Sequence, residues 1–461
     1  MPHNIIQQVI DYAHQNHQTY LESFKELLCF PSISQDLSFR PQLEACADWI
    51  VAEMQRIGLE NYRKIPTAGH PIVYGDWLNA GDDKPTLVIY AHYDVQPVGD
   101  RDLWESEPFK PTIIDDRLVA RGTVDDKCGI WVNLKAFESI LSVHGSLPIN
   151  IKFFFEGEEE LGSPNVQPFV SEHKDLLTAD ALIICDGPFS PTQPIIGYSV
   201  RGTVIGEVTV TGPKHDLHSG RYGGAVKNPI HHIATIIDSF HDATGRIKIS
   251  GFYDDVIVLT DTQLSNLNEV WQTIGEKIEQ GAGVESFWGE ELGTFAERTT
   301  SLPTLDVNGI HGGYWGEGTQ SIIPAQAGFK VTIRVVPNQN PDTVWNSFRK
   351  HILSFADDTV KIDVKLINTA YPFVMSDIGK EIEAIQVAFE AVIGKKALLL
   401  RHGGSLPIGG LLQRELNIPT TMLGFGSGDL SHAPNEYIYV NDTQIAIDVA
   451  IRFFFALGTS H

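Results

Sequence analysis

The chain has 461 residues, 42% of them hydrophobic and 10% aromatic, which is too long for one ordinary domain and apolar enough for sizeable cores. Its formal charge of −24 argues against nucleic-acid binding, which depends on Lys and Arg neutralising phosphates. Cys29, Cys46, Cys128 and Cys185 show no C-x-x-C spacing, no stretch approaches a membrane span, and the first residues lack a basic region followed by an apolar one. The expectation is a cytoplasmic protein with no disulfides and no membrane or nucleic-acid partner.

Ile6, Val9, Ile10, Ala13, Tyr20, Leu21, Phe24 and Leu28 recur on a helical period, which predicts a helix over 4–28 ending before Pro31. Pro41 opens a second helix, stopped by Gly58. From 70 to 200, strand-like runs at 71–78, 85–91, 149–155 and 181–185 alternate with helices near 129–143 and 166–177. That alternation predicts an α/β layer with a mostly parallel sheet.

The pattern changes near Tyr198. Residues 203–211 and 328–336 alternate as half-exposed antiparallel strands do, with helices at 228–240, 261–279 and 341–355 and a strand near 359–367. After Tyr371-Pro372 the α/β pattern resumes, with helix 378–392, strand 397–400, helix 406–416, strand 419–425 and helix 441–457. The expected organisation is an α/β catalytic domain made of 1–200 and 372–461, interrupted by an α+β domain over 201–371.

Several of these strands run into residues that divalent metals favour. Thr86–Ala91 leads into His92-Tyr93-Asp94, Phe153-Phe154-Phe155 into Glu156-Gly-Glu-Glu-Glu160, and Ala181–Cys185 into Asp186. In open α/β sheets ligands bind at the carboxyl ends of strands, so this clustering points to a metal site in the cleft. The acidic run after Phe155 would repel itself strongly on leaving a buried strand unless a cation neutralised it. Asp94 is placed to fix the tautomer of His92. Asp125-Asp126 by itself fits ordinary helix N-terminal charge, and His432 is one of 17 histidines, so neither stands alone.

The order and flanks of these segments resemble one family. The segments are His92-Tyr-Asp94-Val-Gln-Pro97, Trp104-Glu-Ser-Glu-Pro-Phe109, Arg121-Gly-Thr-Val-Asp125-Asp126-Lys127 and Phe155–Ser163. They continue with Asp216-Leu-His218-Ser-Gly220, Ile323-Pro324, Ile333-Arg334, Gly403-Gly404-Ser405 and His432-x-x-Asn435-Glu436. Together they are similar to the M20 metallopeptidases, and most to the carnosine and non-specific dipeptidase branch. The resemblance covers nearly the whole chain.

It implies a zinc-peptidase-like α/β catalytic domain with a lid and dimerisation domain inserted. Asp125 would bridge two metals, His92 and Asp186 completing one and Glu160 and His432 the other, with a cis bond at Asp125-Asp126. Glu159 matches the general acid/base, Asp94 the partner of His92, and His218 a histidine reaching the partner subunit's active site in a homodimer. Arg334, Ser405 and Gly404 match substrate-binding positions. The implied reaction is hydrolysis of free dipeptides, a hydroxide shared by the metals attacking and Glu159 moving protons. Zinc suits this shell, as do manganese and cobalt.

Three positions depart from the pattern. Cys128 stands where relatives carry glycine, His402 where dipeptidases carry Glu, and Ala325-Gln326 where some carry a basic pair. The alternative within the fold is an N-acyl-amino-acid deacylase using the same ligands. A binding protein with a vestigial metal site is disfavoured by Glu159, which need not ligate anything. Neither G-x-G-x-x-G after a strand nor G-x-x-x-x-G-K-[ST] is present, against nucleotide binding.

Overall fold

The structure is a computed structural model that describes residues 3–375 and 379–459. The start of the expected helix 378–392 falls outside them at residue 378. The chain forms two compact units: Met1–Tyr198 with Met375–Leu400 and Leu411–His461, and Ser199–Val374 with Arg401–Gly410. The expected return to the first domain at 372 differs in one stretch, because Arg401–Gly410 clusters with the inserted unit.

The first unit is a twisted sheet covered by helices. Its strands run in the order Glu60–Ile65, Ile72–Trp77, Asn150–Glu156, Thr86–His92, Ala181–Ile184 and Thr420–Met422, and Ile195–Val200 joins the last at Gly197. The centre is parallel: Thr86–His92 pairs in parallel with Asn150–Glu156 and Ala181–Ile184, and the latter with Thr420–Met422. The flanks are antiparallel. Every residue of Asn150–Glu156 is buried, as expected for a central strand covered on both faces. Parallel pairing sets His92 opposite Glu156, so both strands release their polar residues at the same edge.

Helices His3–Leu28, Lys127–His144 and Val440–Thr459 bury Phe24, Trp131, Phe137, Phe453 and Phe454 in one core with Leu87, Ile89, Phe153 and Phe155. Phe24 stacks on Trp131 with ring centroids 4.7 Å apart. Lys127–His144 ends where Gly145 takes φ 71, a left-handed cap that glycine adopts without Cβ strain. Lys135, buried within this helix, pairs with Glu53 at 2.5 Å and Glu138 at 3.1 Å, and Arg56 closes the network on both carboxylates. Among the described residues no helix is long and apolar enough to cross a membrane.

The inserted unit is a four-stranded antiparallel sheet ordered Thr304–Gly312, Gln326–Val335, Gly202–Thr211 and Lys361–Ala370. Val204, Val208 and Val210 alternate inward with Phe329, Val331 and Ile333, and helices Pro229–Asp238 and Pro341–Leu353 add Ile233, Ile236, Val344 and Phe348 to that core. Both helices begin with Asn–Pro, the Asn side chain accepting a backbone N–H and Pro occupying the first turn.

Three elements illustrate where the structure differs from the sequence expectation. The helix expected over 166–177 stops at Glu172, and Leu177 is buried from a turn instead, which is why its apolar period ran on. Strands Glu60–Ile65 and Thr304–Gly312 lie at sheet edges; the first has irregular exposure with no alternation to read, and the second alternates only from Leu305 to Ile310, with Val307 and Gly309 half-buried, which is a weak signal.

Candidate metal centre

At the carboxyl edge of the parallel strands, six side chains form two groups whose potential ligand atoms lie within 4.8 Å of one another: His92, Glu159 and Asp186, and Asp125, Glu160 and His432. Asp125 touches both. One of its oxygens is 3.0 Å from His92 Nε2 and the other 2.9 Å from His432 Nε2. His92 Nε2 lies 4.0 Å from Asp186, and His432 Nε2 3.4 Å from Glu160. The Asp125–Asp126 peptide is cis.

Asp94 organises the surroundings. Its carboxylate accepts the backbone N–H groups of Glu159 at 3.2 Å and Glu160 at 3.1 Å and lies 3.3 Å from His92 Nδ1, whose nearest partner is the Asp94 carbonyl at 3.0 Å. His92 and Asp94 are fully buried. Gln96 donates to Glu160 Oε2 at 2.6 Å, and Gln35 donates to Gln96 at 2.9 Å. His432 sits at φ 63, a left-handed conformation that costs an L-residue about 1–2 kcal/mol.

The electrostatics describe a site in which carboxyl groups outnumber the two imidazoles among them. Burial raises Asp186 to about 7, reinforced by Asp125. Burial likewise pushes Glu159 well above the carboxylate range, with Asp186, Asp94 and Glu156 adding to it and His92 opposing. Burial acts against charge on His92, yet Asp125 and Asp94 outweigh it and hold the imidazole well above its ordinary value. His432 is raised to about 10 by its bonds to Asp125 and Glu160. The Lys of Asp-Asp-Lys brings no relief, because Lys127 donates instead to the carbonyls of Leu27 at 3.2 Å and Phe30 at 2.7 Å.

The donor set fits divalent cations. Imidazole and carboxylate oxygens converge, and Glu160 Oε1 is buried with no hydrogen-bond partner, on a side chain only 3% exposed. Cys128 does not join them. Its thiol donates to the Val124 carbonyl at 3.3 Å, and burial followed by Asp126 keeps its pKa well above the ordinary value, so it stays protonated.

A residue without an assigned role in the sequence reading holds the Asp125 loop. Glu436 is fully buried and accepts from Arg121 at 2.7 Å and from the backbone N–H groups of Gly122 at 2.9 Å, Val124 at 2.8 Å and Asp125 at 3.2 Å. Its partners are more than 300 residues away in the chain, so no local pattern marks it. Glu436→Ala strands a buried guanidinium, and we expect a loss of about 3–5 kcal/mol in urea unfolding. Arg121→Met combined with Glu436→Met should recover much of that loss, because no charge is then left unpaired.

Glu156, behind the cluster, accepts from Tyr90 at 2.5 Å and Ser163 at 2.8 Å. Burial raises its pKa from 4.5 to about 8, the two hydroxyl bonds opposing. A carboxyl raised in the fold stays protonated there while the unfolded chain ionises. It therefore subtracts stability as pH climbs from about 4.5 to about 8, on the order of 5 kcal/mol in full, and no further above. Glu156→Gln should gain on the parent protein across that window in chemical denaturation and level off above it. A constant difference between the two would contradict this.

The remaining candidates lie in the inserted unit. Arg334 Nη1 donates to Ser405 Oγ at 2.7 Å, and the Gly404 carbonyl accepts from the Arg201 backbone at 3.0 Å. His218 is exposed at the end of a two-residue strand and its Nδ1 accepts from the Gly220 backbone at 3.0 Å. Burial lowers His402 to about 4, so it is neutral near pH 7.

A parallel sheet with imidazoles and carboxylates gathered at its carboxyl edge defines a metal-dependent hydrolase. Residues 88–456 match peptidase family M20/M25/M40, and the chain belongs to that family. It is 29% identical over 443 residues to the Cys-Gly metallodipeptidase of Schizosaccharomyces pombe, covering 90% of this chain and 91% of that one. It is 26% identical over 469 residues to the human Beta-Ala-His dipeptidase, covering 96% and 92%. Among solved structures it is similar to an M20 family metallo-carboxypeptidase from Sulfolobus solfataricus, with TM-score 0.82, 30% identity and coverage of 95% and 99%.

Proposed function

We propose that this chain is a dipeptidase that cleaves the peptide bond of free dipeptides with the help of two divalent metal ions. The observation that carries the reading is Asp125, whose two carboxylate oxygens face His92 on one side and His432 on the other. The dipeptidases to which the chain is similar along 90% or more of its length support the substrate class.

Asp125 with His92 and Asp186 would hold one ion, and Asp125 with Glu160 and His432 the other. Bound there, two cations supply Lewis acidity to the scissile carbonyl and a lowered pKa to the attacking water. Zinc suits the donors, and manganese and cobalt do as well. Glu159 takes the proton of the attacking water and returns it to the leaving amine, a role that needs its ionised form, which the positive charge of bound cations would favour. Asp94 fixes both the His92 ring and the backbone that aims Glu159 and Glu160. Arg334, preset by its bond to Ser405, pairs with the substrate's terminal carboxylate, and Ser405 and Gly404 orient its backbone.

His218 is assigned a role in trans, stabilising the oxyanion from the second copy of a homodimer that forms through the inserted unit. Mixing inactive Glu159→Ala with inactive His218→Ala under subunit exchange should then restore part of the activity. No recovery would refute the arrangement.

The substrate reading is tested by amine release from free dipeptides, β-alanyl-histidine, tripeptides, N-acetyl amino acids and N-blocked dipeptides. Cleavage confined to free dipeptides supports it. The similarity to the Sulfolobus enzyme favours carboxypeptidase action as a second reading, which predicts that N-blocked dipeptides are cleaved as well. Cleavage of N-acetyl amino acids alone would make the protein a deacylase.

A further inference from the structure

The inserted unit contains a cavity that the proposed reaction does not use. Its volume is about 390 Å3, within the range of small-molecule sites, and its walls come from residues 241–247, 253–258, 288–292 and 298–306. Ile247, Leu302, Leu305, Tyr253 and Trp288 make most of it apolar. Trp288 is 65% exposed yet held in place: its ring meets His241 edge-on at 5.3 Å, and Arg298 donates to its carbonyl oxygen. A large ring is therefore fixed at the rim with its surface in water, where an apolar ligand would cover it.

Three charged side chains border the same cavity, Arg246, Arg298 and Asp306, and none forms an ion pair among the described residues; Arg298 is committed to backbone carbonyls, which leaves Arg246 and Asp306. The Arg246 guanidinium lies over the Tyr253 ring, 4.1 Å from its centroid. Asp242 is within electrostatic reach of it, but no ion pair joins the two, and one oxygen of that carboxylate, Oδ1, accepts from the Thr244 hydroxyl at 2.7 Å and from the backbone N–H groups of Thr244 and Arg246 at 2.9 Å each. Asp306 is exposed on strand Thr304–Gly312. A molecule that completes such a site brings apolar bulk for the walls, an anion for Arg246 and a cation for Asp306.

We propose that this cavity binds a free α-amino acid with a large apolar side chain. The link to the proposed function is that such an amino acid is a product of dipeptide cleavage; the binding itself does not depend on that reading. The wall also meets the loop that carries Ser405. Arg201 donates to the Leu302 carbonyl at 3.4 Å and to the Gly403 carbonyl at 2.7 Å, and a Cβ on Gly403 would stand 2.4 Å from the Thr299 carbonyl oxygen. Occupancy of the cavity is thus placed to act on the substrate-binding loop.

The test is calorimetric titration of the metal-loaded protein with L-phenylalanine, 3-phenylpropionate and phenethylamine. L-phenylalanine should bind at least about ten-fold tighter than either analogue, each of which lacks one charge. Arg246→Gln and Asp306→Asn, both at exposed positions, should each weaken it at least about ten-fold, and Arg334→Ala should not. Equal affinity for 3-phenylpropionate would overturn the proposal, as would an absence of binding at about 10 mM. So would loss of binding in Arg334→Ala with retention in Arg246→Gln, which would place the amino acid in the substrate site. Calorimetry needs no turnover, so a chain that cleaves no dipeptide can still bind, and an active dipeptidase can still fail this test.

Discussion

Glu159→Ala should lower kcat by about 10³-fold while metal content stays near that of the parent protein. The size follows from what the side chain is asked to do. A positioned general acid/base contributes roughly 10²–10⁴-fold, and in the proposed mechanism Glu159 serves both halves of the reaction. Metal retention follows from the partition of donors: His92 and Asp186 remain with Asp125 on one side, and Glu160 and His432 remain on the other. Glu159 itself lies within ligand distance of His92 and Asp186, so the outcome discriminates between two roles. Loss of one metal equivalent in step with activity would make Glu159 a ligand. An active Glu159→Ala protein would remove it from the mechanism altogether.

Asp125→Ala should be more damaging, because in the proposed site it would take one donor from each ion. Removing an outer-shell partner of a metal ligand typically costs 10–100-fold in affinity, and a shared ligand should cost more than about 100-fold at both positions. Turnover should fall below detection, and the metal content measured after dialysis should drop toward zero. Asp125→Asn keeps the shape and removes the charge, so comparing the two separates lost coordination from a misplaced loop. The Glu436 clamp is untouched in either variant, since it holds the backbone N–H of residue 125 and not its side chain. Full metal content in Asp125→Ala would mean that the two donor groups are held independently.

Much of this site can be read in the sequence where a strand delivers it. His92, Glu159, Glu160 and Asp186 follow apolar runs, and parallel pairing brings those runs to one edge. Asp125 and His432 are different. They sit in loops, and only their resemblance to a family pattern singles them out, because a lone Asp-Asp or Ser-His carries no periodicity. Glu436 and Gln96 were present in the same motifs without a role, since each acts through a contact made only in the folded chain: Glu436 on Arg121, and Gln96 on Glu160. The fold divides the same way. Buried strands such as Asn150–Glu156 show themselves by continuous apolarity, whereas the edge strand Glu60–Ile65 has no buried face to write a pattern. Arg401–Gly410 joins the inserted unit through contacts such as Arg201 on Gly403, which no composition shift announces.

The most direct test is a titration of the chelator-stripped protein with zinc or manganese, following bound metal and free-dipeptide hydrolysis on the same samples. Hydrolysis should be absent in the stripped protein and return in full as about two equivalents bind per chain. Hydrolysis that survives stripping, or that is missing from the fully loaded protein, would contradict the two-metal dipeptidase.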